Sequence, residues 1–241
     1  MSTFVLVHSP LVGPYTWEPV AHELRRAGHT VTVPHLTNDP DSPLSYLDQH
    51  KNAILNAYQT QVGREAAILV GHSGAGALLP YAGAALPKLN CYIFVDADLP
   101  RDNASRLDRF ATKDAKLFRH RAKKGYIPTP FWADEVLKTA IPDAEARGRF
   151  ESELQPVPLK VYKEPIPVPR HWPDAPCAYL RFASSATYEE ASRTARKNGW
   201  PYAELPGYHF QMLVDPRGVA EALVSLSHHI HKGWRHKLWT K

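Results

Sequence analysis

Two hydrophobic periods alternate along the first hundred residues. Short strand-like runs rich in β-branched residues, "TFVLVH", "HTVTVPHL", "AAILVGHS" and "CYIFVDAD", the last two nearly unbroken in apolar residues, are separated by longer stretches in which apolar residues recur every three or four positions. Continuous apolar runs fit strands covered on both faces, and the longer stretches fit the amphipathic helices that cover them. The alternation therefore predicts βαβ units and a parallel-rich sheet, an α/β fold. In "TWEPVAHELRRAG" the residues Trp17, Val20, Ala21 and Leu24 share one helical face, and Gly28 can stop the helix. In "SPLSYLDQHKNAILNAYQTQV" the inward set is Ile54, Leu55, Tyr58 and Val62.

Near Pro100 the alternation stops. Charged helical pieces such as "DRFATKDAKLFRHRAKKG" precede "QPVPLKVYKEPIPVPRHWPDAP", whose prolines cannot donate to a ladder and so exclude a central strand. Residues 100–175 read as a cap, or lid, inserted into a core made of 1–99 and 176–241. The alternation then resumes with the strand "CAYLRFAS", the helix "TYEEASRTARKNG" and the strand "PYAEL". The last helix starts with Asp215 as N-cap and Pro216 at its first position, and it turns Val219, Leu223, Leu226 and Ile230 inward.

One junction of strand and helix carries chemistry. "ILVGHSGAGALLP" runs a buried strand into Gly71-His72-Ser73-Gly74-Ala75 and directly into a small-residue helix, the setting a nucleophile elbow requires. The sharp turn brings neighbouring chain close to the serine, so its flanks must be small. Ala75, followed by Gly76, stands where glycine is usual. A base is available in "LPGYHFQMLVDP", where His209 lies between the last strand and the last helix, at the sheet edge the serine occupies. The acid is harder to place. Its usual position after the penultimate strand, "YLRFASSATYEE", offers Ser184, Ser185 and Thr187 and no carboxylate before Glu189. The strand after the elbow ends "FVDADLP", so the acid is Asp96 or Asp98. Asp96 is preferred, with Asp98 lining the pocket or bonding turn backbone.

Together these residues resemble the α/β-hydrolase superfamily. The closest pattern is its compact branch, which includes plant hydroxynitrile lyases, plant methyl-ester esterases and small bacterial alpha/beta hydrolases. That branch opens on a strand ending in His-Gly, followed by a second Gly and then a Trp, a pattern that His8, Gly13 and Trp17 resemble. Bacterial members carry a strand end resembling "FVDADLP", and the branch closes on a Gly-His or Asp-His resembling "GYHFQML". The resemblance implies an α/β-hydrolase fold: a mostly parallel sheet, helices on both faces and an inserted cap. It also implies a Ser73, His209 and Asp96 triad, with the Gly74 amide as one oxyanion donor.

The opening stretch departs from the branch. Ser9 replaces its glycine, and Pro10, which has no N–H, stands where the second oxyanion amide is drawn from. Such a donor contributes about 3 to 4 kcal/mol to the transition state. The Ser9 hydroxyl, the Leu11 amide or the Tyr15 hydroxyl could replace it, a reactive substrate could manage with one donor, or the reaction could form no oxyanion. His8 either supports this loop or simply ends the strand.

Composition narrows the class. With 241 residues, 44% of them apolar, the chain can bury a sizeable core. The net charge of +5 is partly collected in the tail from His228 onward, without the aromatic-interleaved basic stripe of a nucleic-acid binder. Cys91 and Cys177 alone make no disulfide framework, and the thirteen histidines show no ligand spacing, so no metal or cofactor is expected. Neither a leader nor a run of 18 apolar residues appears, so a cytoplasmic location away from membranes is expected. Tyr15, Tyr126, Trp132 and Trp172 are candidates to line an apolar pocket. The expected activity is serine hydrolysis of an ester, thioester or lactone of a small to medium, partly apolar molecule, with no cofactor. The alternatives are a non-hydrolytic cyclase, lyase or epimerase on the same residues, or a silent ligand-binding protein. Oligomeric state is left open.

Overall fold

The computed structural model describes residues 1–61, 63, 65–109 and 112–238. β1 (Thr3–Val7) leads through a 3-10 turn at Pro14–Thr16 into α1 (Glu18–Arg26), β2 (Thr30–Thr32), α2 (Tyr46–Gln61) and β3 (Ala67–Ser73). A second 3-10 turn at Gly76–Leu78 opens α3 (Leu79–Gly83), and β4 (Leu89–Ala97) follows. The chain then leaves the sheet for α4 (Thr112–Arg121), β5 (Tyr126–Ile127), α5 (Asp134–Ala140), α6 (Ala144–Ser152), β6 (Val157–Pro158) and α7 (Leu159–Lys163). It returns with β7 (Cys177–Phe182), α8 (Glu189–Lys197), β8 (Tyr202–Leu205), α9 (Gln211–Val214) and α10 (Pro216–Leu238).

The six-stranded sheet runs β2-β1-β3-β4-β7-β8, and every pair in it is parallel. This explains the unbroken apolar runs. Successive β1 residues go to opposite faces, Phe4 and Leu6 to one apolar cluster and Val5 and Val7 to the other, and all four are inaccessible to solvent. On the first face lie Val20, Ala21 and Leu24 of α1 with Val219, Leu223, Leu226 and Ile230 of α10. On the second lie Ile54 and Tyr58 of α2, Leu79 of α3 and Ala195 of α8. The inward helical sets predicted from spacing are thus the buried ones, with Leu55 partly covered; Val62 lies outside the described residues. Asp215 caps α10 by accepting the Gly218 N–H at 2.9 Å.

Among the described residues between β4 and β7 none joins the six-stranded sheet, and β5 and β6 pair antiparallel with each other. Phe118, Ile127, Leu137, Phe150 and Tyr162 from this segment join the first apolar cluster. Two carboxylates also tie it to the core at helix starts, where backbone N–H groups lack intrahelical acceptors. Glu153 accepts from the Tyr15 N–H at 2.8 Å, and Glu164 accepts from the N–H groups of Tyr46 and Leu47 at 3.3 and 2.9 Å. Among the described residues no helix is long and apolar enough to cross a membrane.

Candidate active site

β3 runs to Ser73, whose φ of 58° puts a non-glycine residue in the left-handed region. The packing explains its small neighbours. A Cβ on Gly71 would press into the Leu79 side chain, and one on Gly76 would meet the Ala97 Cβ at 2.9 Å and the backbone of Asp98. The elbow helix therefore lies directly on the end of β4, which brings the β4 carboxylates beside the serine.

Asp96 reaches its position through a bulge. The β3–β4 register passes from His72 opposite Val95 to Ser73 opposite Ala97, leaving Asp96 as an extra residue with φ 40°. Tyr179 of β7 secures the bulge: its hydroxyl accepts the Ala97 N–H at 3.0 Å and donates to the Ala97 carbonyl at 2.9 Å. The fully buried Asp96 carboxylate then accepts from His209 Nδ1 at 2.6 Å. This leaves the His209 Nε2 as the nitrogen able to take a proton. Asp98, two residues on, bonds through its N–H to the Ser73 carbonyl at 3.2 Å. Burial pushes its carboxyl up to about 6, against the opposing pull of Arg109, Arg106 and Arg101.

The His209 ring packs against His72, Tyr188 and Phe210. His72 is 4.3 Å away centroid to centroid, and Tyr188 is 5.4 Å away at 24°. His72 Nε2 bonds the His209 carbonyl at 3.0 Å, so Nε2 carries the proton and donates. Burial holds this imidazole well below its usual pKa, hence neutral. The Ser73 hydroxyl makes its hydrogen bond to the Tyr188 hydroxyl, at 2.9 Å.

Ser73, Gly74, His209, Asp98 and Tyr188 line one cavity of about 260 Å³, just below the roughly 300–1,000 Å³ range of small-ligand sites. Leu11, Phe118, Phe131 and Trp132 form its apolar wall. Arg106, fully buried, donates from Nε to the Gly74 carbonyl and from Nη1 to the Val161 carbonyl, both at 3.0 Å, and so ties the elbow to α7. A larger groove of about 630 Å³ between α1 and α10 contains none of these residues. Among the described residues no group of three or more His, Cys, Asp or Glu side chains is arranged to hold a metal ion.

The structure gives Pro10 a backbone reason. Ser9 to Val12 form a turn closed by the Val12 N–H on the Ser9 carbonyl at 3.1 Å, and Pro10 takes the second position, where its fixed φ is favoured. His8 serves the same loop. Its Nδ1–H donates to the Ser9 carbonyl at 2.8 Å, its Nε2 accepts the Leu36 N–H at 3.2 Å, and burial lowers its pKa to about 4. Leu11 faces the cavity, whereas the Tyr15 ring packs under the Arg149 guanidinium at 4.3 Å. The Ser9 hydroxyl is hydrogen-bonded with Tyr162 and lies 3.5 Å from where a Cβ on Gly74 would sit.

Of the four aromatic residues expected around a pocket, only Trp132 lines this one. Tyr126 is exposed on β5, and Trp172 packs on Tyr92 and Phe94 at the other face of the sheet. Tyr188, Tyr162, Phe118, Phe131 and Arg106 escaped the sequence reading. Tyr188 alone left a signal: it sits in the loop after β7 where an acid was sought, and a search restricted to carboxylates passes over it.

Comparison with known proteins bears on the family and the fold. The model of the alpha/beta hydrolase family matches residues 4–222. A putative chloroplastic methylesterase of Arabidopsis thaliana is 31% identical over 114 residues, 45% of this chain and only 33% of that relative's length. Among solved structures, an extracellular alpha/beta-hydrolase from a Paenibacillus species superposes with a TM-score of 0.78 at 23% identity, covering 94% of this chain and 99% of its own. A pyrethroid hydrolase from Sphingobium faniae gives 0.70 at 18%, covering 94% and 97%, and tomato methylketone synthase I gives 0.71 at 19%, covering 95% and 98%. With a family match over residues 4–222, nearly the whole length, the chain belongs to the alpha/beta hydrolase family.

Proposed function

We propose that the protein is a serine esterase acting on small esters with an apolar acyl group, using Ser73, His209 and Asp96 as a triad. The observation that carries this reading is the 2.6 Å contact of Asp96 with His209 Nδ1 in the cavity that Ser73 also lines. Ser73 Oγ attacks the ester carbonyl while His209 Nε2 takes its proton. Asp96 holds the ring in the tautomer that leaves Nε2 free and stabilises the imidazolium that forms. His209 then returns the proton to the departing alcohol, and a water activated by the same imidazole releases the acid and regenerates Ser73.

The oxyanion falls between the Gly74 N–H and the Ser9 hydroxyl. Pro10 removes one amide but closes the turn that holds Ser9 beside Gly74, so a hydroxyl supplies what the backbone lacks. The segment 100–175 acts as the cap, and its Phe118, Phe131 and Trp132 favour a compact apolar acyl group in the 260 Å³ space. The names of the relatives, a putative methylesterase and a pyrethroid hydrolase, support an ester substrate.

A fluorophosphonate probe and a series of p-nitrophenyl esters test the reading. The expected result is labelling and turnover with preference for short acyl chains, both falling at least about 1000-fold in Ser73→Ala. Absence of both in the unaltered protein overturns it. The missing Pro10 amide favours one second reading, a non-hydrolytic lyase or isomerase that uses Ser73 and His209 for proton transfer. Labelling without ester turnover selects that one.

A further inference from the structure

The loop after β7, the usual place for the acid of such a triad, holds a tyrosine instead, and that tyrosine reaches Ser73. Tyr188 is buried at 6% exposure, its ring is nearly parallel to that of His209, and its hydroxyl is 2.9 Å from Ser73 Oγ. Which oxygen donates decides what this bond does. A phenol is a much stronger acid than an alkanol and so the better donor. Burial, with Asp98 and Asp96 nearby, also holds the Tyr188 pKa well above its ordinary value and keeps the phenol protonated. A hydroxyl has a single proton to give. With Tyr188 as donor, the serine proton is left for His209; with the bond reversed, it would be spent on the tyrosine.

We propose that Tyr188 is a catalytic residue whose hydroxyl donates to Ser73 Oγ, directs the serine proton to His209 and steadies charge on Oγ as its bond to the acyl carbon forms and later breaks. The tyrosine keeps its proton throughout, so His209 remains the only proton carrier. This assignment rests on Ser73 being the nucleophile. It is distinct from the oxyanion contacts, because Ser9 and Tyr162 lie against Gly74 while Tyr188 lies on the His209 side of the serine. Stacking on His209 fixes the ring, so the hydroxyl is presented without a flexible side chain to order.

Tyr188→Phe keeps the ring and removes only the hydroxyl. The rate of fluorophosphonate labelling, and the burst and steady-state rates with p-nitrophenyl acetate, should each fall about 10- to 100-fold, the size of effect of losing a hydrogen bond to a charged group. KM should change less than about threefold, and Tm should hold within a few degrees, which a merely structural role would not leave intact. Equal or faster labelling of Tyr188→Phe, in a protein whose unaltered form labels and turns over, overturns the role of Tyr188 and leaves the esterase reading standing. An unaltered protein that neither labels nor turns over overturns the esterase reading, and this assignment with it.

Discussion

The ends of β3 and β4 lie side by side, and at each a non-glycine residue adopts a left-handed backbone: Ser73 with φ 58° and Asp96 with φ 40°. Such conformations cost on the order of 1 to 3 kcal/mol each and persist only where surroundings over-determine them. The two strand ends meet that cost by different means. At Ser73 most of the constraint is local: a strand passes straight into a helix, and Gly71 lets the turn close against Leu79, while Gly76 lets it rest on Ala97 of the adjoining strand. At Asp96 it is remote: a bulge, clamped by the hydroxyl of Tyr179, 82 residues further along the chain. Ser73 is thus placed largely by its own neighbours, whereas Asp96 is placed by the sheet.

Three substitutions probe that difference. The largest effect belongs to Asp96→Asn. An amide at this point offers its N–H to His209 Nδ1, favours the tautomer with the proton on Nε2, and should lower kcat with p-nitrophenyl acetate about 10³- to 10⁴-fold while the fold persists. A loss below tenfold would remove Asp96 from the triad. Next is Tyr179→Phe, which frees the bulge and strands the Ala97 N–H and carbonyl. Stability in urea should fall about 1 to 3 kcal/mol and kcat about tenfold, whereas Ser73 should remain labelled by the probe. If neither changes, the register alone holds Asp96 and the contrast between the two strand ends fails.

The smallest effect on turnover, under about threefold, is expected of Asp98→Asn, which touches neither proton-carrying nitrogen. Its signature lies in stability. Because the folded pKa of about 6 stands above the ordinary 3.8, the native state holds this proton more tightly than the unfolded chain. The resulting stabilisation is complete below pH 3.8 and is lost as pH rises through 6. Relative to its effect at pH 4, Asp98→Asn should therefore stabilise the protein at pH 8 by at most about 3 kcal/mol, read from urea midpoints at the two pH values. An equal effect at both would show that Asp98 ionises freely.

How far the sequence could be read follows the same division. The apolar runs of β1, β3 and β4 and the inward faces of α1 and α10 are written in contiguous residues, and so is the elbow. Pro10 was visible as a missing donor, yet its positive role, closing the Ser9 to Val12 turn beside Gly74, depends on where β3 ends. Trp172 shows the limit from the other side. As an aromatic in the proline-rich segment it is a reasonable pocket candidate, but that segment folds over both sheet faces and carries Trp172 to the face opposite the Phe118 and Trp132 wall of the cavity.

The sequence by itself determined the parallel α/β architecture, the turn that carries Ser73, the position of His209 and the two acids worth weighing, because each rests on a local period or on a few adjacent residue types. Tertiary structure decided which acid meets His209, that Tyr188 holds the serine, and which aromatic residues wall the cavity. These contacts join residues 113 and 115 positions apart, across strands whose register and bulge no local pattern records. Short-range periodicity dictates which face of an element is buried. It carries no information on which distant side chain arrives at that face, and the chemistry of this site is made by those arrivals.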